Sequence, residues 1–268
     1  MDTSAESSLV LGIDTGGTYT DAVLVDEADR IVAAAKGLPT RHDLTAGIGN
    51  ALGELPRDAL SEVNLVALST TLSTNAVVEG RGAPVAVLLP GYGERQVEKS
   101  GLLQLVDRER IAVLAGGHDA SGREREELDE ACAAQFISRN AQRVSAFAVS
   151  SLFGVRNPAH EQRLRELVLD KTKRPVTCGH ELAVGLDAPR RALTAALNAR
   201  MVPIIRELIL AVQDMLDRLG IAAPLMMVKG NGSLINTETA LRQPVGTVLS
   251  GPAASVVGAC ALSGSSNA

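Results

Sequence analysis

The stretch whose reading decides the fold is Leu9-Val10-Leu11-Gly12-Ile13-Asp14-Thr15-Gly16-Gly17-Thr18-Tyr19-Thr20-Asp21-Ala22-Val23-Leu24-Val25. Leu9 to Ile13 is a short apolar run of the kind that forms a buried strand, and it ends on a carboxylate followed by two glycines. Tyr19 to Val25 predicts a returning strand, Asp26 to Arg30 a turn-rich tip, and Ile31 to Lys36 a third strand. The glycines are not a Walker A loop, because no Lys-Ser/Thr follows them. They are not the dinucleotide fingerprint either, since the spacing differs and a strand follows where a helix is required. The segment offers Asp14 at the end of a buried strand and backbone N–H groups that glycines let an anion approach closely. Thr15 and Thr18 add hydroxyl donors. A carboxylate that faces a phosphate needs a cation between the two, and Mg²⁺ suits that bridging role. A plain hairpin turn with Gly-Gly at its tip fits the same residues, and spacing leaves both readings open.

Beyond this hairpin the period changes. Asp43 to Leu55 carries apolar residues at helical spacing. Leu65 to Leu68 and Val85 to Leu89 read as buried strands, with a short helix at Asn75 to Glu79 between them. Pro90-Gly91-Tyr92-Gly93 is a turn, and a helical stretch follows to about Val106. Further on, strands are expected at Ile111 to Leu114, Val144 to Val149 and Val176 to Cys178. Helices are expected at Glu124 to Arg139 and Pro158 to Lys171, the latter with proline at its first turn. A long helix runs from about Ala188 to Leu219, and Pro203 inside it predicts a kink or break. Leu225 to Val228 and Val245 to Leu249 read as strands, and Ser250-Gly251-Pro252 opens a small-residue helix. Apolar runs alternating with helices predict an α/β fold with a mostly parallel, helix-covered sheet.

The chain has 268 residues, with 26 Lys+Arg against 31 Asp+Glu and a formal net charge of −5. An acidic chain with scattered basic residues repels phosphate backbones, so nucleic acid is not an expected partner. Aromatic residues make up 2%, which argues against sites built by stacking bases or sugars on rings. No apolar run approaches roughly 18 residues, so no membrane partner is expected. Met1 to Ser8 is polar and acidic, unlike an export signal. Cys132, Cys178 and Cys260 stand far apart without metal-type spacing. Together these features predict a cytoplasmic protein with reduced thiols.

Four segments taken together resemble the hydantoinase A / 5-oxoprolinase family, a branch of the actin-like ATPase superfamily. They are the glycine loop, Ser69-Thr70-Thr71-Leu72-Ser73-Thr74-Asn75-Ala76, Arg156-Asn157-Pro158-Ala159-His160-Glu161, and Leu249-Ser250-Gly251-Pro252-Ala253-Ala254. The resemblance covers essentially the whole chain in the right order. It implies a ribonuclease-H-like lobe with mixed sheet and flanking helices over residues 1–183. Residues 184–268 would then be the start of a second lobe. It also implies ATP and Mg²⁺ as cofactors and a cyclic amide such as 5-oxoproline or a hydantoin as substrate, its ring carbonyl activated by phosphorylation and then hydrolysed. On this resemblance Asp14 is the catalytic and metal-positioning carboxylate. Thr15, Gly16, Gly17 and Thr18 wrap a phosphate. Thr70, Thr71, Thr74 and Asn75 sit beside it at a strand end, where open α/β sheets place ligands; the same residues also suit helix capping. Asn231, Gly232, Ser250 and Gly251 form a second pair of candidate turns, with Gly251 at a helix start that can receive an anion; ordinary loops fit them equally.

Two departures mark a divergent subgroup and leave the particular cyclic amide open. Pro90-Gly91-Tyr92-Gly93-Glu94 stands where the family usually shows Gly-Phe-Arg-Asp. Gly230-Asn231-Gly232-Ser233 stands where many relatives have Ser-Asn-Gly-Gly. Relatives also carry a second Asp-x-Gly-Gly-Thr loop, which this sequence does not reach. The expectation is therefore a fragment, or a short relative whose cleft is completed by the rest of the enzyme or a partner subunit, with poor ATP turnover alone. A small-molecule kinase and a non-catalytic ATP-binding lobe are the alternatives. His118-Asp119, His160-Glu161 and His180-Glu181 pair imidazole with carboxylate, but adjacent residues diverge. A metal or acid–base site follows from them only if the three histidines converge. The cysteines read as buried small residues.

Overall fold

The computed structural model describes residues 8–38, 44–80 and 82–263. Its strands are β1 (Leu9–Thr15), β2 (Thr20–Val25), β3 (Ile31–Gly37), β4 (Val63–Thr70), β5 (Val85–Pro90), β6 (Ile111–Leu114), β7 (Ala146–Val149), β8 (Val176–Cys178), β9 (Leu225–Val228) and β10 (Leu234–Asn236). Its α-helices are α1 (Leu44–Gly53), α2 (Arg57–Leu60), α3 (Leu72–Val78), α4 (Glu94–Ser100), α5 (Leu102–Leu105), α6 (Glu130–Asn140), α7 (Ala159–Thr172), α8 (Ala188–Arg218), α9 (Thr237–Arg242) and α10 (Ser250–Ser263). They form two compact units, Met1–Asn75 with Ile205–Ala268, and Ala76–Ile204. No helix among the described residues is long and apolar enough to cross a membrane.

The first unit holds a six-stranded mixed sheet in the order β10-β9-β4-β1-β2-β3. Period-two alternation sets its faces: Leu9, Leu11 and Ile13 of β1 and Ala22 and Leu24 of β2 are buried, whereas Asp14 is exposed. β1 runs antiparallel to β2, with Asp14 opposite Asp21 and Thr15 opposite Thr20. It runs parallel to β4, with Asp14 beside Ser69 and Thr15 beside Thr70, and β4 runs parallel to β9. The parallel strands therefore deliver their carboxyl ends to one edge. Ile48 and Leu52 of α1 and Ile205, Leu208, Ile209, Val212 and Leu216 of α8, at i, i+3, i+4 and i+7 spacing, close the core against this sheet.

The second unit holds a four-stranded parallel sheet in the order β6-β5-β7-β8. Every residue of β5 and β7 is buried, because helices cover both faces. Val85, Val87 and Leu89 pack with Ala192, Ala195 and Ala199 of α8. Ala86 and Leu88 face the other way, onto Phe136 and Ile137 of α6 and Leu164 and Val168 of α7.

The fold is mixed α/β with flanking helices, as expected, but several elements differ from the sequence reading. The expected helix from Glu124 starts only at Glu130. Glu124 bridges His118, Arg125 N–H donates to the Gly117 carbonyl, and the Asp129 carboxylate caps α6 by accepting from Cys132 N–H at 2.9 Å. α3 begins at Leu72, three residues before the expected Asn75, because the Thr70 hydroxyl accepts from Leu72 N–H. The helical stretch after Gly93 is two short helices separated by Gly101, whose φ is +80°. Val245 to Leu249 is not a strand: Pro244 opens a 3-10 turn over Pro244–Thr247. The additional strand is β10, antiparallel to β9 across a turn closed by Lys229 N–H to the Ser233 carbonyl at 2.8 Å. α8 runs through Pro203 without interruption. Asp43, the expected start of α1, lies outside the described residues.

Candidate functional site

The site candidates of the first unit collect where β1, β4 and β9 end. Asp14 is exposed at the penultimate position of β1, and Gly251 in the first turn of α10 faces it. A methyl group at Gly251 would stand 3.8 Å from Asp14 Oδ1 and from Ser69 Oγ, and 3.9 Å from Asp14 Oδ2. The carboxylate thus looks at a helix start whose first N–H groups have no intrahelical acceptor and which carries partial positive charge. No acidic residue occupies that first turn.

Hydroxyl groups fasten α10 to the end of β4. Ser250 Oγ donates to the Thr70 carbonyl (3.1 Å), accepts from Thr70 N–H (3.3 Å) and lies 3.3 Å from Ser69 Oγ. Thr74 Oγ1 accepts from Leu249 N–H at 2.9 Å, and Ser73 and Thr247 hydroxyls share a bond of 2.7 Å. Leu249 has φ +63°, a left-handed conformation that costs a branched side chain on the order of 1–3 kcal/mol. The bonds on either side of it hold the chain in that turn.

The glycine loop is a tight reversal closed by Gly16 N–H to the Tyr19 carbonyl (3.2 Å), and Thr71 N–H donates to the Thr15 carbonyl (3.1 Å). Among the described residues, no heavy atom lies within 4 Å of where a Cβ of Gly17 would be, and both Gly17 and Thr18 are exposed. A Cβ at Gly16 would stand 3.3 Å from Thr71 Oγ1. The Thr15 hydroxyl is buried and engaged by Thr20 Oγ1 at 2.9 Å, so Thr15 presents backbone to the loop. Asn75 Nδ2 donates to Thr71 Oγ1 at 3.4 Å. The structure thus brings together Asp14, Gly16, Thr70, Thr71, Thr74, Ser250 and Gly251, with Gly17 and Thr18 open beside them.

Asn231 and Gly232 form a separate turn. Asn231 Oδ1 accepts from Ser233 N–H and Oγ, and Gly232 (φ +82°) leaves only 2.7 Å between a would-be Cβ and Val257 of α10. Sequence reasoning missed Ser69 and Leu249. Both open segments that carry the family resemblance, but Ser69 enters the site through its register with Asp14, and a leucine at 249 does not advertise positive φ.

The second unit answers the question of the histidines. His118 and His160 meet, with ring centroids 4.4 Å apart. His160 Nδ1 accepts from Gly117 N–H at 2.9 Å and Nε2 pairs with Glu124 Oε1 at 2.8 Å. His118 is buried, and among the described residues its Nδ1 has no partner. Burial, and next the nearby His160, hold His118 below the ordinary imidazole range. A cavity of about 630 Å³ is lined by His118, Glu124, Glu127, His160 and Arg163. His180 does not join them; it pairs with Glu161. Of the cysteines, Cys178 is buried as expected, but Cys132 is exposed and Cys260 half-buried, and all are free thiols.

Comparison with known proteins bears on both units. The chain is 30% identical over 267 residues to caprolactamase subunit alpha of Pseudomonas jessenii, covering 91% of this chain and 38% of that protein. A crystal structure of the ATP-dependent caprolactamase from Pseudomonas jessenii superposes with a TM-score of 0.77 at 29% identity, covering 91% of this chain and 39% of that one. A nucleotide-free acetone carboxylase shares the fold, with a TM-score of 0.79 at 22% identity over 96% of this chain and 41% of that one. The chain therefore spans about two fifths of the relatives it matches. Residues 10–172 match the hydantoinase/oxoprolinase N-terminal region and residues 191–268 match hydantoinase/oxoprolinase. With both matches in order along one sequence, the chain belongs to the hydantoinase/oxoprolinase family.

Proposed function

We propose that the first unit holds the phosphates of ATP in an enzyme that opens a cyclic amide of the hydantoin or 5-oxoproline type. One observation carries this reading: the Asp14 carboxylate faces the start of α10 across the gap that Gly251 leaves, beside a glycine loop with open space at Gly17. Two negative groups suit that gap only with a cation between them. The donor set, one carboxylate with Ser69 and Ser250 hydroxyls nearby, is all oxygen and fits a hard ion such as Mg²⁺. Asp14 would hold it or its bound water. Bound there, Mg²⁺ would neutralise charge on the transferring phosphoryl group.

The chain's own groups do the rest. Gly17 N–H and the Thr18 hydroxyl donate to phosphate oxygens, beside Gly16, whose own N–H closes the loop onto the Tyr19 carbonyl, and the N-terminus of α10 adds donors from the opposite side. Thr70, Thr71, Thr74 and Asn75 keep β4, α3 and the loop in register, so these donors are fixed before ATP arrives. The ring carbonyl oxygen then bonds to the γ-phosphorus as the bond to ADP breaks. Water adds to the activated carbon, the ring C–N bond breaks with a proton passing to the departing nitrogen, and a second water cleaves the resulting acyl phosphate into carboxylate and inorganic phosphate. A relative named as subunit alpha supports a partner chain for the amide site.

Calorimetric titration with Mg-ATP tests the reading. Binding is expected for the parent chain and at least tenfold weaker for Asp14→Ala, with unchanged circular dichroism. Equal binding by both sinks the role of Asp14. In complex with its partner chain, inorganic phosphate and an opened ring are expected products; a stable phosphorylated product identifies a kinase instead.

A further inference from the structure

The second unit contains a side-chain cluster that the nucleotide site does not use. Glu161, in the first turn of α7, is completely buried. Its Oε1 accepts from Ser151 N–H at 2.7 Å, and its Oε2 accepts from His180 N–H at 3.0 Å and meets His180 Nδ1 at 2.7 Å. Cys178, the last residue of β8, donates its thiol to the Glu161 carbonyl at 3.5 Å. The carboxylate oxygen, the sulfur and the imidazole nitrogen lie within 4.8 Å of one another. Glu161 and Cys178 are buried and His180 is half-buried, so the cluster has one side reachable from solvent.

A buried carboxylate needs a countercharge. Among the described residues, the ion pair Glu161 makes is with His180, a group that is charged only when protonated. The Arg165 guanidinium sits beside the Cys178 sulfur and also bonds Glu181. With a thiolate at Cys178 and a divalent cation in the cluster, the two carboxylates and the thiolate balance the guanidinium and the metal.

We infer that Glu161, Cys178 and His180 form a binding site for a borderline-soft divalent cation of the zinc class. Thiolate, imidazole and one carboxylate are the ligand types such an ion selects, whereas magnesium and calcium take oxygen alone. Ligand bonds of about 2.0–2.3 Å need only small side-chain shifts from the present separations. On binding, the Cys178 S–H bond breaks, a sulfur–metal bond forms, and the proton goes to solvent. His180 turns its Nδ1 lone pair to the metal and carries its proton on Nε2. Three protein ligands leave a fourth position, on the half-exposed side of His180, for water. Gly154 packs behind the carboxylate, where a Cβ would fall 2.2 Å from Glu161 Oε1, so the backbone holds Glu161 in place. The inference is independent of the nucleotide reading.

The test strips the full chain with a chelator and titrates it with Co²⁺ and then Zn²⁺. One equivalent of Co²⁺ is expected to give a thiolate-to-cobalt charge-transfer band in the near ultraviolet, abolished by one equivalent of Zn²⁺, with one thiol proton released. The Cys132→Ser, Cys260→Ser double variant leaves the cluster intact and keeps the band. Cys178→Ser loses it, and His180→Ala weakens Zn²⁺ binding at least about tenfold, each with the parental circular dichroism spectrum. Absence of the band in the parent chain overturns the inference, whatever the folding of the variants. So does its loss in the double variant, or unchanged affinity in a folded His180→Ala.

Discussion

Ser250 carries more of the site's structure than its size suggests, because one hydroxyl serves both polar groups of Thr70. Ser250→Ala leaves a buried N–H and carbonyl short of partners, and an expected loss of about 1–3 kcal/mol follows, measurable by urea unfolding. Gly230 is constrained differently: a Cβ there would stand 2.1 Å from the Val248 carbonyl oxygen. Gly230→Ala must push backbone apart, and a destabilisation of about 1–3 kcal/mol is expected; an unchanged midpoint would show the turn to be freer than drawn. His118 gives a pH signature. Its pKa is depressed in the fold, so the unfolded chain takes up a proton near the ordinary value of about 6.5 that the folded chain refuses. Stability therefore falls as pH drops through that region, and His118→Gln flattens the slope of the urea midpoint between about pH 7.5 and 5.5. Asp14 was legible in the sequence because a charge terminating an apolar run has few structural uses. Thr15 was half legible: its position is right, but the partner of its hydroxyl, Thr20, is set by hairpin register. The meeting of His118 with His160 is a product of tertiary placement, and no local pattern announces it.

At the scale of elements, periodicity served where burial was one-sided or complete. β1 was legible as a short apolar run ending on a charge, β2 and β3 as its returns on either side of a turn-rich tip, and β5 because it is apolar throughout between turns. The region after His118 misled because Arg123 to Glu127 has helical composition, while its backbone is drawn into contacts with Gly117 and Asp119. The cap at Asp129 decides where α6 starts. Asp129→Ala is expected to cost about 1 kcal/mol and to lower helicity by circular dichroism, whereas alanine at Glu126, exposed and before the helix, leaves both unchanged. Val245 to Leu249 misled for the opposite reason. Its residues favour strands, but Pro244 and the left-handed turn at Leu249 divert the chain into α10, and the neighbour to β9 comes from Leu234–Asn236.

For the whole molecule, the two family segments and the two compact units divide the chain differently. The sheet that presents the glycine loop recruits β9 and β10 from beyond residue 205, a non-local pairing that no reading by successive segments supplies. If the first unit holds nucleotide, Mg-ATP at about a hundredfold excess over its Kd adds about 2.7 kcal/mol to the folded state. A rise in Tm is then expected for the parent chain and not for Asp14→Ala, and its absence in the parent counts against the nucleotide reading. One helix crosses the division. α8 gives Ala192, Ala195 and Ala199 to one core and Ile205, Leu208 and Val212 to another. Between them Pro203 has no amide hydrogen to offer the Ala199 carbonyl. Deuterium uptake along this single helix should therefore step at Pro203, the amides before it reporting the opening of one core and those after it the opening of the other. One helix would then serve as a built-in gauge of two separate stabilities.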